Sequence, residues 1–194
     1  MKRIAMRSVT IWILVLLLLG GLGFFMMEYV MYSDQWVLSQ GSPHIYKGDN
    51  INTGVVVDRD GVILLDNTGE RTYSSSKELR SSMIHWLGDR YGYISAPAVA
   101  NYAKEMAGFD VLTGIYSDSV GQASLTLSSR LQLAAQEAIG DRKGTIALMN
   151  YKTGEILCAL SAPNYDPDDV PNMDADDTGA YEGGYMNRFT QSVY

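Results

Sequence analysis

GTIALMNYKTGEILCALSAPNY, from Gly144 to Tyr165, is the stretch that says most about the fold of this chain. Two apolar runs, Thr145 to Met149 and Glu155 to Leu160, flank a polar segment that ends in Gly154. Apolar runs separated by a short polar segment predict a β-hairpin, and glycine supplies the positive φ that such a turn needs. The Ser-Ala-Pro-Asn-Tyr-Asp loop that follows ends the second strand. We interpret the hairpin as a scaffold element that carries no chemistry itself.

Composition limits the size of the protein and the use of its cysteine. With 194 residues, 46% hydrophobic and 19% charged, the chain suffices for one domain, or for a small domain plus part of another. Cys158 is the only cysteine, which excludes an intramolecular disulfide. Because it lies in an apolar strand, we expect a buried structural thiol rather than a reactive one.

The N-terminus contains a candidate membrane anchor. From Val9 to Met27 the sequence has no charged residue, and these 19 residues suffice to span the hydrocarbon core of a bilayer as a helix. Lys2, Arg3 and Arg7 precede this span and the first acid, Glu28, follows it, so the positive-inside rule predicts a cytoplasmic N-terminus.

A cleaved signal peptide is the alternative to an anchor. Its apolar core would be shorter, and a small-x-small cleavage site would precede residues 28–30, where none is found. The sequence therefore favours an uncleaved anchor with the bulk of the chain outside the membrane. Three of the 15 basic residues precede the span, which leaves 12 against 22 acidic residues outside, a formal charge of −10. This charge argues against nucleic acid or anionic lipid as a partner.

The chain after the span divides into a stem and two folded parts. Residues 28–50 show no sustained period and are predicted to form the stem, and residues 54–65 predict a hairpin around an Asp-Gly turn. Amphipathic helices are predicted from Ser76 or Lys77 to Leu87 and over residues 97–107. A connector rich in Gly, Ser and Tyr, residues 113–122, marks the candidate domain boundary.

The second folded part begins as an α/β unit. Residues 123–127 predict a strand, and Ser128 or Ser129 is expected to cap a helix that Gly140 closes before the hairpin. The tail, residues 164–194, is polar and predicts no further strand or helix that would complete a core. The half-built sheet leads us to expect a truncated chain.

Two short motifs match catalytic signatures without the context that they need. Ser74-Ser75-Ser76-Lys77 fits Ser-x-x-Lys and Lys152-Thr153-Gly154 fits Lys-Thr-Gly, but Ser-x-Asn occurs nowhere between them. Ser74 lies in a polar serine run, where the Lys77 amine would be solvated and a poor base. We interpret the first motif as helix capping and the second as a hairpin turn.

The acidic tail and the two histidines lack the ligand pattern of a metal site. The tail is rich in aspartates: Asp166, Asp168, Asp169, Asp174, Asp176 and Asp177. The segment from Asp174 to Gly179 resembles the start of an EF-hand loop, but its twelfth position is Tyr185 rather than a bidentate glutamate. We therefore predict a solvated acidic loop. His44 and His85 are too isolated for a zinc site, and we expect His85 to be a partly buried helix residue.

Four motifs in order, together with the anchor, resemble one family. They are Leu125–Gln132 (LTLSSRLQ), Gly144–Met149 (GTIALM), Lys152–Leu157 (KTGEIL) and Ser161–Pro167 (SAPNYDP). This order resembles the opening of the transpeptidase domain in class B penicillin-binding proteins. The Val55–Gly61 hairpin is similar to the one at the start of that family's pedestal domain, although Thr53-Gly54 stands where the family usually has Arg-Gly.

The resemblance implies an α+β protein with a single N-terminal transmembrane helix, a small α/β pedestal domain and the incomplete opening of a penicillin-binding transpeptidase domain. The implied segments are a cytoplasmic tail (1–8), the transmembrane helix (9–27), an extracytoplasmic stem (28–50), the pedestal (51–122) and the N-terminal portion of the transpeptidase domain (123–194).

The resemblance also implies an activity, peptidoglycan D,D-transpeptidation through an acyl-enzyme serine that penicillins acylate. In the family, a pair like Asn187-Arg188 is followed by Tyr or Phe and then Pro-Gly-Ser-x-x-Lys, so we expect the nucleophile C-terminal to Tyr194. No catalytic, cofactor-binding or metal-binding residue is carried over, and the 194 residues alone are expected to be inactive. The implied partners are peptidoglycan stem peptides and β-lactams in the full-length protein, and membrane proteins of cell-wall synthesis. The alternative is a complete, non-catalytic, membrane-anchored interaction module of that machinery.

Overall fold

The computed structural model describes residues 2–37, 54–102, 106, 109–110, 114–115, 121–173 and 178–191. In chain order its elements are α1 (Lys2–Val37), β1 (Val55–Val57), β2 (Ile63–Asp66), β3 (Thr72–Tyr73), α2 (Lys77–Leu87), α3 (Pro97–Ala100), β4 (Phe109–Asp110), β5 (Gly114–Ile115), β6 (Gln122–Ser124), α4 (Ser129–Ile139), β7 (Gly144–Met149), β8 (Ile156–Ala162) and α5 (Arg188–Gln191). The protein is thus a mixed helix and sheet structure with one long apolar helix at its N-terminus, as the sequence predicted.

Helix α1 contains the apolar span. Its segment Met6–Tyr32 is long and apolar enough to cross a membrane, and none of it is buried against the rest of the protein. A helix with apolar residues on all sides is stable only in an apolar surrounding. The helix continues to Val37, into the segment assigned to the stem; the stem beyond Val37 lies outside the described residues.

The first sheet contains four strands in the order β3-β2-β1-β6. The predicted hairpin is confirmed: β1 and β2 are antiparallel, with Val56 opposite Leu65. The carboxylate of Asp58 accepts hydrogen bonds from the backbone N–H groups of Asp60 and Val62, and Gly61 has a φ of +82°. These bonds close the Asp-Gly turn, because aspartate and glycine supply the acceptor and the positive φ that it needs.

Helices α2 and α3 cover this sheet. The predicted N-terminus of α2 is confirmed, since Ser76 Oγ accepts from the backbone N–H of Leu79 and so caps the helix. Helix α3 ends at Ala100 and a turn follows at Asn101 and Tyr102; Met106 is helical again, and its backbone N–H donates to Tyr102 O at 3.0 Å. Of the remaining residues of the predicted helix, 103–105 and 107 lie outside the described part of the chain.

The second sheet is the predicted hairpin of β7 and β8, paired in antiparallel fashion from Gly144 opposite Ala162 to Met149 opposite Ile156. The Asn150 to Gly154 turn is confirmed, with Gly154 at a φ of +78°. Among the described residues these two strands form a sheet of their own. Every residue of β8 from Cys158 onward is buried, whereas β7 is exposed from Ala147 to Met149.

Strand β6 connects the two folded parts. It pairs in parallel with β1, in the first sheet, and the next residues continue to the hairpin: Leu125 N donates to Val57 O, and Ser128 N donates to Leu157 O. The main hydrophobic core accordingly contains residues from both sides of the predicted boundary. The domain boundary between residues 122 and 123 stays a prediction. The core is continuous across it, because β6 pairs with β1 and so completes the first sheet.

Two details of the second part differ from the predictions. The Ser128 side chain makes no capping hydrogen bond to α4. The tail was predicted to add no helix that would complete a core; the short helix α5 follows Asn187 in the described part of the chain, and none of its four residues is fully buried. Tyr165 in the tail is buried together with Ile84 and Ile94, so this part of the tail packs on the pedestal rather than lying in solvent.

Candidate functional site

The serine and lysine of the Ser-x-x-Lys match lie at the start of α2. Lys77 is the first residue of the helix and is exposed, and Ser76 is used as its N-cap. Because the Lys77 amine lies in water rather than in a buried site, Lys77 is poorly placed to act as the base for Ser74. The Lys152-Thr153-Gly154 turn is exposed at the tip of the β7–β8 hairpin. Neither motif therefore lies in the buried site that this chemistry requires.

The two other candidates for chemistry are buried. Cys158 is fully buried, and burial raises the pKa of its thiol, so it is not a ready nucleophile. His85 is more buried than predicted, and its Nε2 lies 2.9 Å from the carbonyl oxygen of Gly184. Since a carbonyl only accepts, Nε2 carries the proton. Burial lowers the pKa of His85 to about 4, which keeps the ring neutral near pH 7. His44 lies outside the described residues.

Among the aspartates of the tail, Asp166 and Asp168 form ion pairs, Asp169 is exposed, and residues 174–177 lie outside the described part of the chain. Asp166 is buried and accepts two hydrogen bonds of 2.6 Å from Arg80, a bidentate pair that holds the pKa of Asp166 below its ordinary value. Asp168 pairs with Arg90 at 2.7 Å. The prediction of a solvated loop is therefore wrong for Asp166. Among the described residues no cluster of three or more His, Cys, Asp or Glu side chains could hold a metal ion.

What the structure does assemble is a rigid junction between the hairpin β7–β8, helix α4 and the pedestal. Asp58 is its first member: besides closing its own turn, its Oδ2 accepts from the backbone N–H of Ser129 at 3.0 Å and from Ser129 Oγ at 2.6 Å. Asp58 is therefore the cap of α4. Burial of the carboxylate opposes its ionisation, but these hydrogen bonds outweigh burial and hold the pKa of Asp58 below its ordinary value.

Gln132 is the second member of the junction. It is fully buried; its Nε2 donates to the carbonyl oxygens of Ser82 and Ala159, and its Oε1 accepts from Ala159 N. Trp86 Nε1 donates to the same Ala159 oxygen at 2.6 Å. Gln132 thus joins α4 to α2 and to β8. It also satisfies the backbone of Ala159 on the edge of β8 that no other described strand pairs.

The tail residues Asn187 and Arg188 are held against the same junction. Ser161 Oγ, at the end of β8, accepts from Arg188 N at 2.9 Å and donates to the carbonyl oxygen of Met186. Asn187 is buried; its Oδ1 accepts from Phe189 N, which caps α5. The segment that leaves the described structure toward the C-terminus therefore starts from a fixed point beside β8.

Sequence reasoning named neither Asp58 nor Gln132 as a junction residue. A signal for Gln132 existed, because it lies three residues before Ala135 and is a polar residue on the buried side of a helix. No local signal exists for Asp58, whose helix partner Ser129 lies 71 residues further along the chain.

Comparison with solved structures identifies the fold of the described residues. No protein-family profile and no curated protein matches the chain. Among solved structures it is similar to Pseudomonas aeruginosa PBP2 in complex with WCK 5153, with 22% identity over 74% of this chain and 37% of that chain, and a TM-score of 0.53. It is also similar to the D,D-transpeptidase domain of a peptidoglycan glycosyltransferase from Eggerthella lenta, with 34% identity over 61% of this chain and 27% of that chain, and a TM-score of 0.41. This chain thus spans well under half the length of either. The described residues therefore share the fold of part of the Pseudomonas aeruginosa penicillin-binding protein, as the motif order predicted.

Proposed function

We propose that this chain is the N-terminal portion of a membrane-anchored peptidoglycan D,D-transpeptidase. Its role is to hold the catalytic domain on a pedestal outside the membrane, with α1 as the anchor and the N-terminus in the cytoplasm. The distribution of charge supports this orientation: Lys2, Arg3 and Arg7 precede the apolar span, and Glu28 follows it. Stem peptides of peptidoglycan and β-lactams are then partners of the full-length protein, and membrane proteins of cell-wall synthesis are partners of its anchor and pedestal.

The observation that carries the proposal is the unequal burial of β7 and β8. β8 is buried on both faces, whereas β7 exposes Leu148 by 46% and Met149 by 64% and pairs with β8 along one edge. Among the described residues the other edge of β7 is unpaired, and an apolar strand with an unpaired edge is a template for further strands. We propose that the remainder of the transpeptidase sheet adds to this edge, and that it brings the nucleophilic serine, which we place C-terminal to Tyr194.

Labelling with a fluorescent penicillin tests this proposal. The purified 194-residue chain is expected to remain unlabelled above a heat-denatured control, because acylation needs a serine activated by a neighbouring base. A chain extended along its own reading frame is expected to become labelled and to lose the label when the serine of the Pro-Gly-Ser-x-x-Lys motif is changed to alanine. Labelling of the 194-residue chain would contradict the placement of the nucleophile.

A second function is favoured by a different observation. An apolar cleft of about 230 Å³ opens between α2, α3 and β6, with Trp86, Pro97 and Leu127 in its wall. A cleft of this kind fits a side chain of a partner protein, as a non-catalytic interaction module would need. Sequencing the gene past codon 194 separates the two: a stop codon with no Pro-Gly-Ser-x-x-Lys in any nearby frame would favour the interaction module.

A further inference from the structure

His85 is a buried polar residue of α2 to which the proposed function gives no role. It is 1% exposed, and its neighbours Met83, Ile84 and Leu87 are fully buried apolar residues. Its Nε2–H donates to Gly184 O at 2.9 Å, and its Nδ1 has no hydrogen-bond partner among the described residues. Burying an unsatisfied polar atom costs free energy that an apolar side chain would avoid. The bond to Gly184 is therefore what a histidine contributes at this position.

The segment that His85 contacts, residues 184–187, leads into α5 and is shaped by turns. Gly184 N donates to Tyr181 O, and Met186 N donates to Gly183 O. These two bonds fix the local shape of the segment but join it to no other helix or strand. Gly183 and Gly184 are consecutive, and glycine has the largest backbone freedom to lose on folding. The position of the segment relative to α2 and β8 therefore depends on hydrogen bonds from side chains of those elements.

Two elements supply such bonds. From α2, the ring of His85 holds Gly184, and the carbonyl oxygen of His85 accepts from Asn187 Nδ2 at 3.4 Å. From β8, Ser161 Oγ accepts from Arg188 N at 2.9 Å. His85 and Gly184 are 99 residues apart in the chain, so their bond joins two distant segments. The tail is thus fixed to the pedestal through His85 and to the second hairpin through Ser161.

We propose that His85 is a positioning residue for acyl transfer: its Nε2–H holds residues 184–187 against α2 and so places the chain that leads to the nucleophile. The inference rests on the proposed function, which puts that serine C-terminal to Tyr194, and deepens it. Asn187 Oδ1 caps α5 by accepting from Phe189 N, so a shift of the segment also moves this helix. A displacement of about 1 Å at the reacting atoms costs up to about 100-fold in rate, even when its cause lies far from them.

The rate at which a fluorescent penicillin acylates the chain extended along its own reading frame tests the inference. His85→Leu and His85→Met fill the space of the ring without a donor, and both are expected to slow acylation about tenfold. His85→Gln places an amide N–H near the position of Nε2 and is expected to restore the rate to within about threefold of the wild type. The loss should lie in the maximal rate at saturating penicillin. The penicillin concentration that gives half of this rate should not change, because His85 does not touch the penicillin.

Ser82→Ala is the matched control. Ser82 is buried on the same helix, and its Oγ donates to Leu79 O within α2, so the variant loses a buried hydrogen bond without a change at the tail. It is expected to unfold at a lower urea concentration than the wild type and to keep the wild-type acylation rate. All variants are compared at a temperature where tryptophan fluorescence shows them folded. Wild-type rates in His85→Leu and His85→Met, or no recovery in His85→Gln, would overturn the inference.

Hydrogen exchange of the 194-residue chain, measured by mass spectrometry, is a second test that needs no nucleophile. The backbone N–H groups of residues 184–191 are expected to exchange about tenfold faster in His85→Leu than in the wild type or in Ser82→Ala, with no change in the β1–β2 hairpin. Equal exchange at residues 184–191 would also overturn the inference. Absence of label on the extended wild-type chain contradicts the proposed function, whereas a labelled wild type with unchanged His85 variants contradicts only the inference.

Discussion

The two hairpins of this protein have similar local signals and different surroundings. The β1–β2 hairpin is paired on both edges, with β3 beside β2 and β6 beside β1, and its Val56, Leu64 and Leu65 are fully buried. The β7–β8 hairpin is buried through β8 and exposed along β7. Hence the β1–β2 hairpin belongs to a closed core. The second hairpin contributes β8 to that core and leaves β7 exposed from Ala147 to Met149. This difference supports the proposed division into a self-sufficient pedestal and a platform for further structure.

Equivalent truncations in the two hairpins provide the largest contrast. Leu65→Ala is expected to lower the free energy of unfolding by about 3 kcal/mol, because it leaves a cavity in a closed core. Leu148→Ala should change it by less than about 0.5 kcal/mol, because this side chain already lies largely in water. Urea titrations followed by tryptophan fluorescence measure both. Equal losses would show that β7 is as well packed as β2, and would remove the main support for an open sheet.

The next effect concerns Asp58, which joins the first hairpin to α4. Asp58→Asn is expected to lower the free energy of unfolding by about 2 kcal/mol. The carboxylate uses one oxygen to close its own turn and the other to accept from Ser129, whereas an amide has only one acceptor oxygen. Asp60→Asn, exposed in the same turn, is the control and should have little effect.

The same residue gives a pH dependence. The folded pKa of Asp58 is depressed, so its stabilising contribution is present above its unfolded pKa, near 3.9, and is lost as the pH falls through the lower folded value. Unfolding titrations of the wild type should therefore show a loss of stability below about pH 4 that the Asp58→Asn variant lacks. Parallel pH profiles of the two proteins would contradict this role.

A smaller effect is expected where the tail is fastened to the pedestal. Arg80→Ala should lower stability by about 1.5 kcal/mol, since it leaves the buried carboxylate of Asp166 without its bidentate partner. Arg90→Ala removes an ion pair of about one-third exposed side chains and should cost less than about 0.5 kcal/mol. Similar losses in the two variants would show that the Arg80 pair is no stronger than a surface pair.

The smallest effect on the free energy of unfolding is expected at β7. A measurable effect on self-association is expected there as well. Leu148→Lys should leave stability nearly unchanged while reducing self-association of the purified chain, because a lysine on an edge strand disfavours pairing with another copy. Sedimentation velocity measures the association, and Thr153→Lys in the exposed hairpin turn is the control for added charge. If both variants associate as the wild type does, β7 is not the self-association surface.

Local patterns predicted both hairpins, α2 and α4, because turn residues, helix caps and apolar periodicity act over a few positions. These local patterns do not predict the burial of residues that depends on contacts between distant parts of the chain. The aspartates of the tail looked like a solvated run, yet Asp166 is buried because Arg80, 86 residues away, offers it a bidentate partner.

By itself the sequence determined the apolar span, the two hairpins, helices α2 and α4, and the order of motifs that resembles a penicillin-binding protein. Only the tertiary structure decided that β6 completes the pedestal sheet, that Asp58 caps α4 and that Gln132 satisfies the backbone of β8. The physical reason is that periodicity and turn chemistry are properties of neighbouring residues. Strand pairing, buried hydrogen bonds and surface clusters depend on which distant segments the folded core brings into contact.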